Sequence, residues 1–301
     1  LVLGGCGFIG SAFCEFLAKH GEEVFSYDIV KPLAENRGVH YIQGDFFDLD
    51  ALKEHVQYAD MIVHAMSTLN PGNSQERYLF GYEKELAQTI KLCGVAQRLH
   101  KRMIFLSSGG TVYGEQEIFP INEQAGLRPI NHYANLKVCI EHSMRIIKEQ
   151  TGADFIIARI ANPYGKGQDY RKGTGFIDAV IRKARNHERI EIWGNGCIER
   201  DYVYIEDVCG MLYELCRYQG TELVFNISTG IGTSQNQIIA YVEQELDSKL
   251  DVRYLEKRNI DVKRSILDNS RIRQIYDAKL ISVSEGIHRY MDGFGKGDGF
   301  L

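Results

Sequence analysis

The chain reads as an α/β protein: a doubly wound parallel sheet with a smaller, interleaved C-terminal lobe. Three observations point there. Short apolar strands alternate with helical stretches through the first half. The opening "LVLGGCGFIG" sets Gly4, Gly5, Gly7 and Gly10 where a strand passes into a helix. After Arg159 the alternation loosens into polar, glycine-bearing segments.

Taken in order, "LVL" is a strand and "FIGSAFCEFLAKHG" a helix, with Ile9, Ala12, Phe13, Phe16 and Leu17 at helical spacing and Gly21 as its stop. "EVFSYDI", "VHYIQGD", "DMIVHAM", "RMIFLSS" and "DFIIARI" are strand-like, and helices are expected between them over roughly 50–58, 75–99 and 134–150. Such alternation gives right-handed βαβ units and a sheet covered on both faces. Beyond it, "NPYGKGQDYRKGTG" reads as a loop, "RIEIWGNG" and "DVRYLEK" as isolated strands, and "TSQNQIIAYVEQEL" as a lone helix. Residues 1–165 with about 200–228 are expected to form the first unit, and about 166–199 with 229–301 the second lobe. Leu1 is not a natural start, so an initiator Met and one or two strand residues are expected before it.

Composition narrows the function. The 301 residues carry 35 Lys and Arg against 40 Asp and Glu, a net charge of −5, and a pI near 6.0. Neither nucleic acid nor an anionic membrane favours such a surface. No apolar stretch approaches a membrane span. The 7 cysteines, scattered from Cys6 to Cys216 without CxxC pairs, read as reduced thiols of a cytoplasmic protein, with no metal site.

The glycines fit both Gly-x-Gly-x-x-Gly (Gly5, Gly7, Gly10) and Gly-x-x-Gly-x-x-Gly (Gly4, Gly7, Gly10). One glycine permits a tight turn, one lets a pyrophosphate approach the backbone, and one lets helix and strand pack closely. The phosphates then rest on the free N–H groups of the helix start. Asp28 stands about 20 residues on, where an acidic residue accepts hydrogen bonds from the adenosine ribose. Its charge repels a 2′-phosphate, so NAD is expected rather than NADP. The first unit is therefore a Rossmann-type dinucleotide-binding domain.

"HYANLKV" places Tyr133 and Lys137 at i and i+4, on one face of a helix. An ammonium beside a phenol favours phenolate, which suits the tyrosine to act as a base. Together with "GGCGFIG", Asp28, "GDFFD", "VHAMS", "SSGGTVYG", "ARIANPYG", "WGNGCIERDYVYIEDV" and "FNISTG", this pair makes almost the whole chain resemble the extended short-chain dehydrogenase/reductases. The resemblance is to their NAD-dependent nucleotide-sugar epimerase/dehydratase branch, with UDP-galactose 4-epimerases nearest in function. It implies cofactor contacts from Gly4, Gly7, Phe8, Ile9, Gly10, Asp28, Asp45, Phe46, His64, Ala65, Ser107, Tyr133 and Lys137. Tyr133 would be the base and Lys137 its electrostatic partner. A Ser or Thr three positions before the valine of "VYG" normally completes the triad. Gly109 stands there, so Ser108 is expected to substitute, with Ser107 and Thr111 as alternatives.

On the substrate side the resemblance implies that Arg200 of "GNGCIERDY" and Arg258 of "KRNID" grip the nucleotide diphosphate, while Asn162 contacts the sugar or shapes the loop beneath it. Dehydratases of this branch carry Asp-Glu where Gly110 and Thr111 stand here, which argues against elimination of water. A UDP-sugar 4-epimerase is the expected activity. A 4-keto reductase, a decarboxylase and a non-catalytic NAD-sensing protein remain as alternatives, Gly109 being the feature that favours the last. Relatives pair through two long helices, so a homodimer through 75–99 and 134–150 is expected.

Overall fold

A computed structural model of the chain describes residues 1–32, 34–168, 175–257 and 262–293. Its central layer is a seven-stranded parallel sheet. The strands are β1 (Val2–Leu3), β2 (Val24–Asp28), β3 (Val39–Gln43), β4 (Met61–His64), β5 (Arg102–Ser108), β6 (Phe155–Ile160) and β10 (Val224–Ile227), in the order β10-β6-β5-β4-β1-β2-β3. The order reverses between β1 and β4, the switch point at which open α/β sheets bind ligands.

Alternation along the strands sends neighbouring side chains to opposite faces. Val2, Val63, Ile104 and Ile156 pack with Phe13 of α1 (Phe8–Lys19) and Leu212 of α8 (Ile205–Arg217). Leu3, Ile62, Met103 and Phe155 pack on the other face with Leu52 of α2 (Leu49–Tyr58) and Leu136 of α6 (His132–Thr151). The helix expected over 75–99 runs as α3 (Ser74–Phe80), a π-helical turn (Gly81–Leu86) and α4 (Ala87–Arg98). Asp48 caps α2 by accepting the Ala51 N–H at 3.1 Å, and Asn131 caps α6 by accepting the Ala134 N–H at 2.8 Å. Gly152, in the left-handed region, ends α6. No helix among the described residues is long and apolar enough to cross a membrane.

The second half is more ordered than its sequence pattern suggests. "NPY" is not loop but strand β7 (Asn162–Tyr164), parallel to β9 (Glu199–Tyr204). Its proline is tolerated because β7 lies at a sheet edge. β9 also pairs antiparallel with β11 (Gly232–Ser234) and parallel with β13 (Arg264–Ser265). The two strands expected to be isolated are partners: β8 (Ile190–Trp193) runs parallel to β12 (Val252–Leu255). The helix expected to be alone, α9 (Gln235–Leu246), opens with a Ser234/Gln237 capping box and packs on α7 (Phe176–Arg185) and α10 (Val283–Asp292).

One ion pair stands out for its burial. Arg159 of β6 meets Glu141 of α6 at 2.6 Å, with both side chains 3% exposed. Ser107 donates to Glu141 at 2.5 Å, and Arg159 donates to the Tyr113 hydroxyl at 2.9 Å. Tyr113 in turn donates to Asn226 of β10 at 2.6 Å. Removing one partner strands a charge in the core. Arg159→Leu should therefore lower stability by about 3–5 kcal/mol in denaturant titration. Replacing both partners with apolar residues should recover most of that loss. Equal stability of Arg159→Leu and the natural protein would refute the account.

Candidate active site

β1 ends at Gly4, whose φ of +77 turns the chain toward α1. A Cβ on Gly10 would overlap the carbonyl oxygen of Gly4, so the helix can approach the strand only as glycine. Gly7 is the N-cap of α1, which has no side-chain cap and no acidic residue in its first turn. Its N–H groups are thus left for an anion. Asp28 ends β2 and accepts the Cys6 N–H at 3.0 Å and the Val30 N–H at 3.2 Å, tying the glycine loop to the second strand. Gly4, Gly7, Asp28, Asp45, Phe46 and Ala65 line one cleft of about 500 Å³. The cradle fits a dinucleotide: an uncapped helix start for the pyrophosphate, and an acid at the end of the second strand.

Two residues expected at the cofactor send their side chains elsewhere. His64 is fully buried, with Nε2 3.0 Å from the Thr89 hydroxyl. Burial pushes its pKa down to about 3, with Lys137 adding in the same direction. Ser107 is committed to Glu141.

Phe8, Ile9, Ser108, Tyr133, Asn162 and Arg200 line an adjoining cavity of about 510 Å³. Tyr133 and Lys137 occupy successive turns of α6, and Tyr133 and Ser108 line the cavity together. Burial pushes the Tyr133 phenol up to about 12; the Ser108 hydroxyl pulls it down and the Glu85 charge raises it further. The expected depression by Lys137 is therefore not found. The ammonium lies 4.7 Å from the Phe105 ring centre and 5.7 Å from that of Tyr133. Burial lowers the Lys137 pKa, while the Glu85 and Glu141 carboxylates act to raise it.

Gly109 has a packing reason. A Cβ there would overlap Leu267 Cδ1 and stand 2.9 Å from the Arg159 carbonyl oxygen. That direction is the packed interior, while Ser108 lines the cavity beside Tyr133. Thr111 lines the same cavity, its hydroxyl 3.5 Å from the Ser108 carbonyl.

Arg200 and Asp201 are adjacent on β9 and serve opposite sides. Arg200 faces the cavity, where it donates to the Glu199 carbonyl at 2.9 Å. Asp201 is fully buried and accepts from Thr229 N–H at 2.9 Å, Thr229 Oγ1 at 2.7 Å and Gly230 N–H at 3.0 Å. Asn162 Nδ2 donates to the Asp201 carbonyl at 3.0 Å. Arg258 lies outside the described residues. The described residues lining this cavity include no Asp, Glu, Lys or His.

Sequence reading missed a column of polar residues behind the cofactor cleft. Glu85 accepts from Ser67 Oγ at 2.8 Å, Thr68 N–H at 2.7 Å and Thr68 Oγ1 at 2.6 Å. Gln88 donates to the Phe46 carbonyl at 2.7 Å, and Thr89 meets His64. The signal was available: three polar residues at i, i+3 and i+4 on a helix whose other inward positions, Leu92, Cys93 and Ala96, are apolar.

The chain is similar along its whole length to proteins of differing activity. It is 25% identical over 305 residues to a UDP-glucose 4-epimerase of Mycolicibacterium smegmatis, covering 98% of this chain and 97% of the relative. It is 28% identical over 286 residues to a dTDP-4-dehydro-6-deoxyglucose reductase of Escherichia coli, covering 90% and 89%. Among solved structures, the UDP-glucose 4-epimerase of Thermotoga maritima with UDP-glucose matches with a TM-score of 0.90 at 26% identity, over 98% of both chains. A model of the NAD dependent epimerase/dehydratase family matches residues 1–228. With the glycine cradle and the Asp28 terminus in place, the chain belongs to that family and takes NAD as its cofactor.

Proposed function

We propose that the protein is a nucleotide-sugar 4-epimerase that oxidises a ring carbon, C4 of a UDP-hexose, to a keto-sugar and reduces it from the opposite face. The observation that carries this reading is that Tyr133 and Ser108 line one cavity with Arg200 and with no lining carboxylate among the described residues. Bound NAD supplies the hydride acceptor and donor. Tyr133 takes the proton of the sugar hydroxyl at Oη and returns it, and Ser108 donates a hydrogen bond to the same oxygen. Lys137 supplies the positive charge behind the phenol. Arg200, with Arg258, holds the diphosphate through charge-assisted hydrogen bonds, and Asn162 shapes the sugar pocket.

Elimination of water needs a paired acid and base beside the sugar. Gly110 and Thr111 line the cavity without supplying either. Reversible oxidation needs one proton acceptor, which is what this cavity offers. We assign cofactor binding to residues 1–165 with about 200–228, and substrate binding to about 166–199 with 229–301. The exposed Ile90 of α4 and Ile146 of α6, on helices packed together, support a homodimer through that face.

Incubation with UDP-, GDP- and dTDP-sugars, products read by NMR, should show interconversion of C4 epimers of a UDP-hexose. Net formation of a deoxy-keto sugar, a pentose or a reduced product would reassign the reaction. Tyr133→Phe should lower turnover by about 10²–10⁴ while NAD still binds, and Ser108→Ala should slow it less. Natural rates from Tyr133→Phe would end the catalytic reading.

Arg200→Ala should weaken UDP-sugar binding by about 2–5 kcal/mol in calorimetric titration, with NAD affinity nearly unchanged. Unaltered UDP-sugar affinity would place the diphosphate elsewhere.

A further inference from the structure

We infer that Glu85 is a positioning residue for the dinucleotide site: its carboxylate clamps the Ser67–Thr68 loop of the cofactor cleft to the turn that packs on the helix bearing Tyr133. Glu85 is fully buried, and a carboxylate so placed must be hydrogen-bonded or paired. It has three donors, the Ser67 hydroxyl and the Thr68 N–H and hydroxyl, all at 2.6–2.8 Å and all uncharged. Its negative charge is therefore not neutralised by what it binds.

The backbone is arranged to bring it there. Glu85 lies in the π-helical turn Gly81–Leu86. A Cβ on Gly81 would stand 2.5 Å from Leu69 Cδ1 and 3.2 Å from Leu136 Cδ2, so glycine lets this turn close on the loop and on α6 together. Ser67 and Thr68 follow β4 and line the dinucleotide cleft. One side chain thus joins a wall of the cofactor cleft to the turn that packs on the helix bearing Tyr133.

Two variants separate the clamp from the charge. Glu85→Gln keeps an acceptor for Thr68, while its amide group can donate to the Ser67 hydroxyl; only the charge goes. Glu85→Ala removes both. In hydrogen exchange, Glu85→Ala should lose protection over residues 65–70 and weaken NAD binding roughly tenfold, while Glu85→Gln keeps both. Thr68→Val, which deletes one bond from the loop side, should loosen the same segment less. Unchanged exchange and NAD affinity in Glu85→Ala would overturn the clamp, with or without turnover of any sugar.

Discussion

Arg159 is the constraint from which the site is built. A guanidinium at the middle of a fully buried strand must be matched within the core, because leaving it unpaired would cost several kcal/mol. Glu141 supplies that match from α6, and the Tyr113 hydroxyl and Glu123 carbonyl take further donors. Tyr113 then reaches Asn226, whose side chain donates to the carbonyls of Ile121 and Asp268. The pair thus joins β6 to α6, to the segment after β5 and to β10. α6 cannot rotate or slide without breaking it. Tyr133, Lys137 and Glu141 lie four residues apart, so the lower end of the column is an ion pair and the upper end a phenol at the cavity.

Electrostatic roles divide across the cleft. Glu85 and Glu141 are buried away from the cavity that Tyr133 lines, and no carboxylate lines its described part. In a low-dielectric interior this separation matters, since a carboxylate beside the sugar would compete with Tyr133 for protons and repel a diphosphate. The cost falls on Tyr133, which burial holds at about 12 with Glu85 adding to the effect. The Ser108 hydroxyl opposes it.

Legibility in the sequence followed the range of the physical cause. The glycine motif was readable because a Cβ on Gly10 would strike the Gly4 carbonyl six residues earlier, a local fact. The sheet was readable because burial on both faces leaves short apolar runs. The Tyr133–Lys137 face followed from helical spacing. What escaped depends on distant partners. β8 and β12 pair across some sixty residues, and β9 gathers strands from both sides of it in sequence. Gly109 looked like a missing hydroxyl, yet the reason for glycine is Leu267, far along the chain. Glu85, Gln88 and Thr89 did carry a local signal, but only the loops they hold give it meaning.

Asp201 shows how the two parts of the site are kept in register. Neighbours on a strand face opposite ways, so the residue beside the cavity-facing Arg200 must point into the interior. There desolvation pushes the Asp201 carboxyl up to about 6, while bonds from Thr229, Gly230 and Leu267 pull it down. Three backbone N–H groups and one hydroxyl converge on that carboxyl. Thr229 and Gly230 directly follow β10, the strand whose Asn226 is tied through Tyr113 to Arg159. A continuous path of buried polar contacts therefore runs from the tyrosine-bearing helix through Arg159 and β10 to the strand that carries Arg200. The distance between the Tyr133 phenol and Arg200 is set by that path rather than by the loops around the cavity.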